Sequence, residues 1–239
     1  MIEITHLTKR YGGDTIVDDL SLSIPKGKVF GFLGQNGAGK TTTMKMIVGL
    51  TTPDGGSVTI GGKPYTDVGM REHIGYMPEA PYFYDRLTGL EFLKFCGHLF
   101  RAEAQPTTAR YEEILKQVGI FDARNRAIST YSKGMKQRLG FAQTLVNDPD
   151  YIFLDEPLDG LDPVGRAEIK NIIKDLHRGG KTVFFNSHIL WDTEELCDEI
   201  GIIHAGKLLY HGEVAKFCHG EPLEKKFVEL VRSQSKVHV

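Results

Sequence analysis

The chain has 239 residues, 41% hydrophobic and 25% charged, with a formal net charge of −2; this is the composition of a soluble globular protein long enough for one large domain or for a core with a sub-domain. Acids and bases are interspersed without the basic run that marks a nucleic-acid arm. The N-terminus MIEITHLTKRYGG lacks the apolar core of a secretory signal, and no apolar run approaches the roughly 18 residues of a membrane span, so any membrane contact is expected to come through another subunit.

In chain order, Leu20-Ser21-Leu22-Ser23-Ile24 alternates apolar and polar residues as a half-buried strand does. The run from Lys28 to Leu33 is nearly continuously apolar and predicts a strand buried on both faces. Asp54-Gly55-Gly56 is a turn ahead of a strand over Ser57 to Ile60, and Ile74-Gly75-Tyr76 predicts another short strand. Past Met77-Pro78 the character turns helical. Thr88 and Glu91 have capping-box spacing ahead of FLKFCGHLF, Ala109 to Val118 predicts a helix ending at Gly119, and Ser132 opens a third helix running to about Asn147. Strand and helix then alternate again. Tyr151 to Leu154 is a buried strand, and Asp162-Pro163 is an N-cap with proline at N1, opening a helix that ends near Gly179-Gly180. Thr182 to Asn186 and Ile200 to His204 are further strands, and Ala205-Gly206-Lys207 is a hairpin turn. Such alternation implies a mostly parallel sheet covered on both faces, with residues 80–147 as a helical insertion. Cys96, Cys197 and Cys218 are far apart and odd in number; they fit neither a disulfide framework nor zinc spacing, and burial in a reducing cytosol is the expectation.

Between the apolar runs KVFGFL and TTMKMIVGL lies Gly34-Gln35-Asn36-Gly37-Ala38-Gly39-Lys40-Thr41, which meets the pattern G-x-x-x-x-G-K-[ST] through Gly34, Gly39, Lys40 and Thr41. Glycines let main-chain N–H groups converge without Cβ clashes, and at the positive end of a helix those groups form an anion cradle. Lys40 would add a point charge for β- and γ-phosphates, and the Thr41 hydroxyl would serve a Mg²⁺ shell. Asp155 and Glu156 follow a buried strand, at the edge where ligands bind in such sheets. Asp155 would hold Mg²⁺ through water, and Glu156 would orient and deprotonate the attacking water.

On these motifs and their order the sequence resembles the ATP-binding cassette (ABC) ATPases, the motor subunits of ABC transporters, from Tyr11 to about Gly212. Tyr11 matches the aromatic residue that stacks on adenine. Gly34 to Thr42 matches the Walker A loop, Tyr151 to Pro157 matches Walker B, Asp159 to Asp162 matches the D-loop, and His188 matches the switch histidine that senses the γ-phosphate. Tyr131-Ser132-Lys133-Gly134-Met135 is similar to the cassette signature usually written LSGGQ; Ser132 and the backbone at Gly134 would meet the γ-phosphate held by a second subunit, while Lys133 would either reinforce anion binding or, the favoured expectation, face solvent. Glu79 stands where many members carry glutamine, and would offer Mg²⁺ a charged oxygen.

The resemblance implies a P-loop NTPase (RecA-like) α/β core with an N-terminal antiparallel β sub-domain (1–79 with 148–212), an inserted helical sub-domain (80–147) carrying the signature, and a short helical tail (213–239). It implies ATP and Mg²⁺ as ligands. It also implies a second ABC ATPase subunit, as homodimer or heterodimer, an integral-membrane permease as partner, and a cytoplasmic location on the inner face of the membrane. YSKGMKQR and the M-P-E loop are most similar to the ATPases of ABC-2-type exporters. The aromatics Tyr82, Phe83 and Tyr84 either pack the helical part or line a groove for a short helix of the permease. The other classes considered are a soluble, non-transport cassette switch and a GTPase; no N-K-x-D guanine-reading motif is present.

Overall fold

The structure, a computed structural model, describes residues 1–100 and 107–235, so part of the expected helical insertion and the end of the expected tail lie outside the described residues. The chain divides into two bodies, 1–67 with 184–239 and 68–183. The second body contains all of the described part of the expected helical insertion, together with strand and helix on either side of it.

In the first body, β1 (Ile2–Tyr11), β2 (Asp14–Ile24), β4 (Gly55–Ile60) and β5 (Lys63–Pro64) form a sheet in the order β2-β1-β4-β5, antiparallel throughout. The β1–β2 ladder is interrupted by register shifts, and His6 and Asp19 both take positive φ, at 51° and 53°. A second sheet runs in the order β10-β9-β3-β8, from β10 (Lys207–Glu213), β9 (Glu199–His204), β3 (Val29–Leu33) and β8 (Thr182–Ser187), the last belonging to this body from Phe184 onward. β3 is parallel to β9, and β9 and β10 form the expected hairpin across Ala205 and Gly206. All five residues of β3 are buried. Phe184 packs at 5.2 Å from the Phe30 ring and 5.7 Å from the Phe32 ring, which fixes the strand that delivers the chain to Gly34. Helices α1 (Lys40–Ile47), α6 (Leu190–Leu196), α7 (Val214–Cys218) and α8 (Leu223–Ser235) complete this body.

In the second body, β6 (Ile74–Met77) pairs in parallel with β7 (Tyr151–Asp155), from Ile74 opposite Tyr151 to Met77 opposite Leu154. Around them lie α2 (Gly89–His98), α3 (Thr108–Gln117), α4 (Lys133–Thr144) and α5 (Pro163–Arg178). The capping box of α2 is complete: the Glu91 N–H donates to Thr88 Oγ1 at 3.2 Å, and the Thr88 N–H donates to Glu91 Oε2 at 2.8 Å. Asp162 caps α5, accepting from the Gly165 N–H at 2.7 Å with proline at N1. The helix opened by Ser132 ends at Thr144, short of the expected Asn147. Asn147 instead turns its amide back to the Glu72 and Ile74 carbonyls, at 2.7 and 3.3 Å, which draws the chain off the helix axis before β7.

Candidate functional site

The glycine-rich loop forms where β3 ends. Gly34 approaches so closely to β9 that a Cβ there would lie 2.5 Å from the Ile203 carbonyl oxygen. Gly39, the N-cap of α1, has φ of 109°, and a Cβ on it would meet the Ile16 carbonyl oxygen at 2.7 Å. The segment Gln35, Asn36 and Gly37 is exposed, whereas Ala38, Gly39 and Lys40 are buried. Lys40 curls back over the loop. Its Nζ donates to the Gly34 carbonyl at 2.7 Å and to the Gln35 carbonyl at 3.3 Å, which centres the ammonium on a main-chain concavity. A charge so placed at the start of a helix is an arrangement that can attract an anion. Thr41 and Thr42, in the first turn of α1, are both partly exposed.

His188 follows β8 and is exposed, while the Ser187 side chain before it is buried and accepts from the Ile189 N–H at 2.9 Å, setting the turn into α6. Gly34, Gln35, Asn36 and His188 line one cavity of about 480 Å³. Tyr11 lies at the tip of the β1–β2 hairpin, half-exposed, with the Lys9 ammonium 5.1 Å from its ring centroid. An exposed ring of this kind presents a stacking surface.

The acidic residues belong to the second body. Asp155 ends β7 almost wholly buried, and Glu156 follows with φ of 52°, a left-handed conformation that a glutamate adopts only when its surroundings hold it there. Gln137 of α4 supplies part of that hold. Its buried amide donates to the Glu156 carbonyl at 3.2 Å and to the Pro157 carbonyl at 3.4 Å, and the Asp159 N–H also donates to the Glu156 carbonyl at 3.2 Å. Tyr76 of β6 has a buried hydroxyl with no hydrogen-bond partner among the described residues. Burial first, then the charges of Asp155 and Glu79, push its pKa up to about 12. Glu79 and Asp155 therefore act on one point, though Glu79 itself is exposed. Neither Gln137 nor Tyr76 was singled out by the sequence; a polar residue on the core face of a predicted helix, and a tyrosine two positions ahead of the M-P-E loop's proline, were the available signals.

Ser132 caps α4 through its hydroxyl oxygen, accepting from the Met135 N–H at 3.2 Å, and remains exposed. Tyr131 before it is anchored, its hydroxyl donating to the Ala123 carbonyl at 2.7 Å. A Cβ at Gly134 would meet only ordinary contacts, the nearest at 3.7 Å, so the start of α4 is open to an approaching group. Lys133 is largely exposed, as expected, and also pairs with Asp159 of the D-loop segment at 3.1 Å. Of the residues predicted from the sequence, Tyr11, Gly34 to Thr42 and His188 thus lie on the first body, and Glu79, Ser132, Gly134, Asp155 and Glu156 on the second. Among the described residues, no cluster of three or more histidine, cysteine, aspartate or glutamate side chains forms a metal site. The expected Mg²⁺ shell, with the Thr41 hydroxyl and water among its oxygens, calls for no such cluster.

A family model described as "ABC transporter" matches residues 17–159. An uncharacterized ABC transporter ATP-binding protein of Synechocystis is 47% identical over 199 residues, covering 82% of this chain and 56% of that protein. The bacitracin transport ATP-binding protein of Enterococcus faecalis is 38% identical over 240 residues, covering 99% of this chain and 76% of that protein. The solved structure of an ATP-binding subunit of an ABC transporter superposes with a TM-score of 0.87 at 27% identity, covering 96% of this chain and 99% of that one. The chain thus spans little more than half the length of the cyanobacterial relative and about three quarters of the enterococcal one.

Proposed function

The chain belongs to the ABC transporter ATP-binding family, and from that premise we propose that it binds and hydrolyses ATP to drive export through a separate membrane permease. The observation that carries this reading is the Lys40 ammonium held over the Gly34–Gly39 loop, a preformed cradle for polyphosphate. Tyr11 would stack on adenine, and main-chain N–H groups of Asn36 to Thr42 would bind the phosphates. Mg²⁺, when bound, would neutralise charge on the β- and γ-phosphates; Thr41, Asp155 and Glu79 would be the residues to offer it the hard oxygen ligands it prefers. Glu156 accepts the proton of the attacking water, and its fixed left-handed backbone limits the directions its carboxylate can take. Lys40 and His188 offset charge on the transferring group, and little covalent work is left to the protein.

Ser132 and the open start of α4 would meet the γ-phosphate bound by a second ATPase subunit, so that two subunits close head to tail over the nucleotide. Placement on the cytoplasmic face of a membrane follows from the permease; among the described residues no helix is long and apolar enough to cross a membrane. On the second body, Phe83 is buried against Phe92 at 5.1 Å, whereas Tyr82 and Tyr84 are exposed and Tyr84 stacks edge-to-face on Phe95 at 5.3 Å. With exposed Leu99 one turn beyond Phe95, these side chains offer an apolar contact surface for a permease helix.

The test is Glu156→Gln. ATP affinity is expected to persist, hydrolysis to fall by about 10²–10⁴-fold, and closed dimers to accumulate with MgATP in size-exclusion chromatography with light scattering. Turnover at the wild-type rate would remove Glu156 from its role. Absence of any nucleotide binding would end the ATPase reading.

A further inference from the structure

The tail of the chain is not absorbed by the motifs, yet it reaches the phosphate loop. Phe227, on the second turn of α8, lines the same cavity as Gly34, Gln35, Asn36, Ser187 and His188. Its place there is built. Leu223, the first residue of α8, is wholly buried in a core cluster with Leu33, Ile200 and Ile202, and Phe227 and Leu230 pack against that cluster. Leu33 is the last residue of β3 before the loop, so α8 leans on the strand that delivers Gly34. The other attachment is polar. The Leu223 N–H, an otherwise orphan donor at a helix start, donates to Glu194 Oε2 at 3.0 Å. Glu194 belongs to α6, the helix entered directly from His188. α8 is thereby tied to both segments that line the cavity with it.

We propose that α8 is a working wall of the terminal-phosphate end of the nucleotide site, with Phe227 as a positioning residue that sets the Gly34–Asn36 segment against His188 and keeps water out between them. This rests on the ATP reading above and on the γ-phosphate role of His188 within it. An apolar ring beside an anion site displaces water that would screen the charges, and so strengthens the contacts of imidazole and N–H groups with the phosphate. The groups that would hold the α- and β-phosphates, from Gly37 to Thr41, are outside that cavity lining. Removing the ring is therefore expected to weaken ATP binding and leave ADP binding nearly unchanged.

The experiment titrates MgATP and MgADP into the purified full chain by calorimetry, in a Glu156→Gln background so that ATP survives. Phe227→Ala is expected to weaken MgATP at least fivefold while MgADP stays within twofold, and Phe227→Tyr, which keeps the ring, is expected to return the ATP-to-ADP ratio to within twofold of the parent. Phe227→Leu retains apolar packing on the core cluster but shortens the reach into the cavity; it is expected to move the ratio in the same direction with an unchanged melting temperature, and it decides the matter if the alanine variant does not fold. An unchanged ATP-to-ADP ratio in the leucine variant, or equal weakening of both nucleotides alongside a fallen melting temperature, overturns the proposal and leaves the ATP reading standing. A parent chain that binds neither nucleotide overturns both.

Discussion

Gln137 offers the sharpest test of how Glu156, the proposed hydrolytic carboxylate, is positioned. Its side chain is buried, and its amide donates to the Glu156 and Pro157 carbonyls at 3.2 and 3.4 Å. Methionine at this position preserves length and flexibility but supplies no donor. The Glu156 carbonyl keeps the Asp159 N–H at 3.2 Å, so the main loss falls on the Pro157 carbonyl, which gives up its donor in a buried place. Leaving one buried acceptor unsatisfied costs about 1–3 kcal/mol. In a chain of this size each kcal/mol moves the melting temperature by roughly 2–4 °C, so Gln137→Met is expected to melt about 2–12 °C lower.

The catalytic consequence is separable from the loss of stability. Glu156 sits at φ of 52°, where a non-glycine residue is strained by about 1–3 kcal/mol and stays only because neighbours fix it. Loosening that hold is expected to lower kcat severalfold with KM for ATP nearly unchanged, since the glycine cradle and Tyr11 are untouched. Gln137→Glu sharpens the sign: a carboxylate would turn an acceptor toward two carbonyls and should be worse than methionine on both counts. Thermal melts and steady-state ATPase assays on the two variants are sufficient. A methionine variant with wild-type melting and wild-type kcat would refute the claim that Gln137 holds the Glu156 backbone.

Gly39→Ala places a Cβ 2.7 Å from the Ile16 carbonyl oxygen at φ of 109°; strain of roughly 2 kcal/mol or more and a displaced loop should weaken MgATP binding beyond tenfold, and affinity within twofold of wild type by calorimetry would contradict a cradle built from close backbone approach. Tyr76 carries a pKa pushed up to about 12, from an ordinary value of 10.0, by burial and by Asp155 and Glu79. Its neutral form stabilises the fold fully below pH 10, and that contribution fades as pH rises toward 12 because the unfolded phenol ionises first. After allowance for solvent screening, the stability difference between wild type and Tyr76→Phe should shift by roughly 1 kcal/mol between pH 9 and pH 12; urea melts giving a constant difference would place the hydroxyl in ordinary solvent. The paired change Tyr82→Ala with Tyr84→Ala is expected to leave basal ATPase of the isolated chain unchanged and to reduce co-purification with the permease severalfold, and undiminished pairing would assign these rings to packing alone.

The elements legible in the sequence are those whose signals are local. The capping box at Thr88 and Glu91, the Asp162-Pro163 helix start and the hairpin at Ala205-Gly206 each depend on a few adjacent residues, and each formed as read. The N-terminal portion reads as strands, but the bounds of β1 are not legible in it, because the ladder shifts register between Ile4 and Leu7 and His6 turns to positive φ. β2 was read only over its last five residues, beyond the irregular Asp19, although it begins at Asp14. In the candidate site, the glycine loop and the Asp155-Glu156 pair were visible as motifs. Gln137, Tyr76 and Phe227 were not, since each matters through a contact made across the fold: Gln137 meets a carbonyl 19 positions away, and Phe227 shares a cavity with residues from the opposite end of the chain.

That division has a physical cause in the cradle itself. A loop that binds phosphate through N–H groups must have its backbone fixed before the ligand arrives, and fixing each residue costs about 1–2 kcal/mol of conformational entropy. If the loop were ordered only on binding, that cost would be subtracted from affinity. Here the ordering is done by folding. The Ala38 carbonyl accepts from the Gly206 N–H at 3.1 Å, the Gly206 carbonyl accepts from the Asp18 N–H at 2.9 Å, and the Ile16 and Ile203 carbonyls crowd Gly39 and Gly34. The clamp therefore comes from β2 and from the β9–β10 hairpin, while Phe227 of α8 lines the cavity beside the loop. A motif of eight residues supplies the groups proposed to meet the phosphate; segments far from it in the sequence hold those groups in place before any ligand arrives.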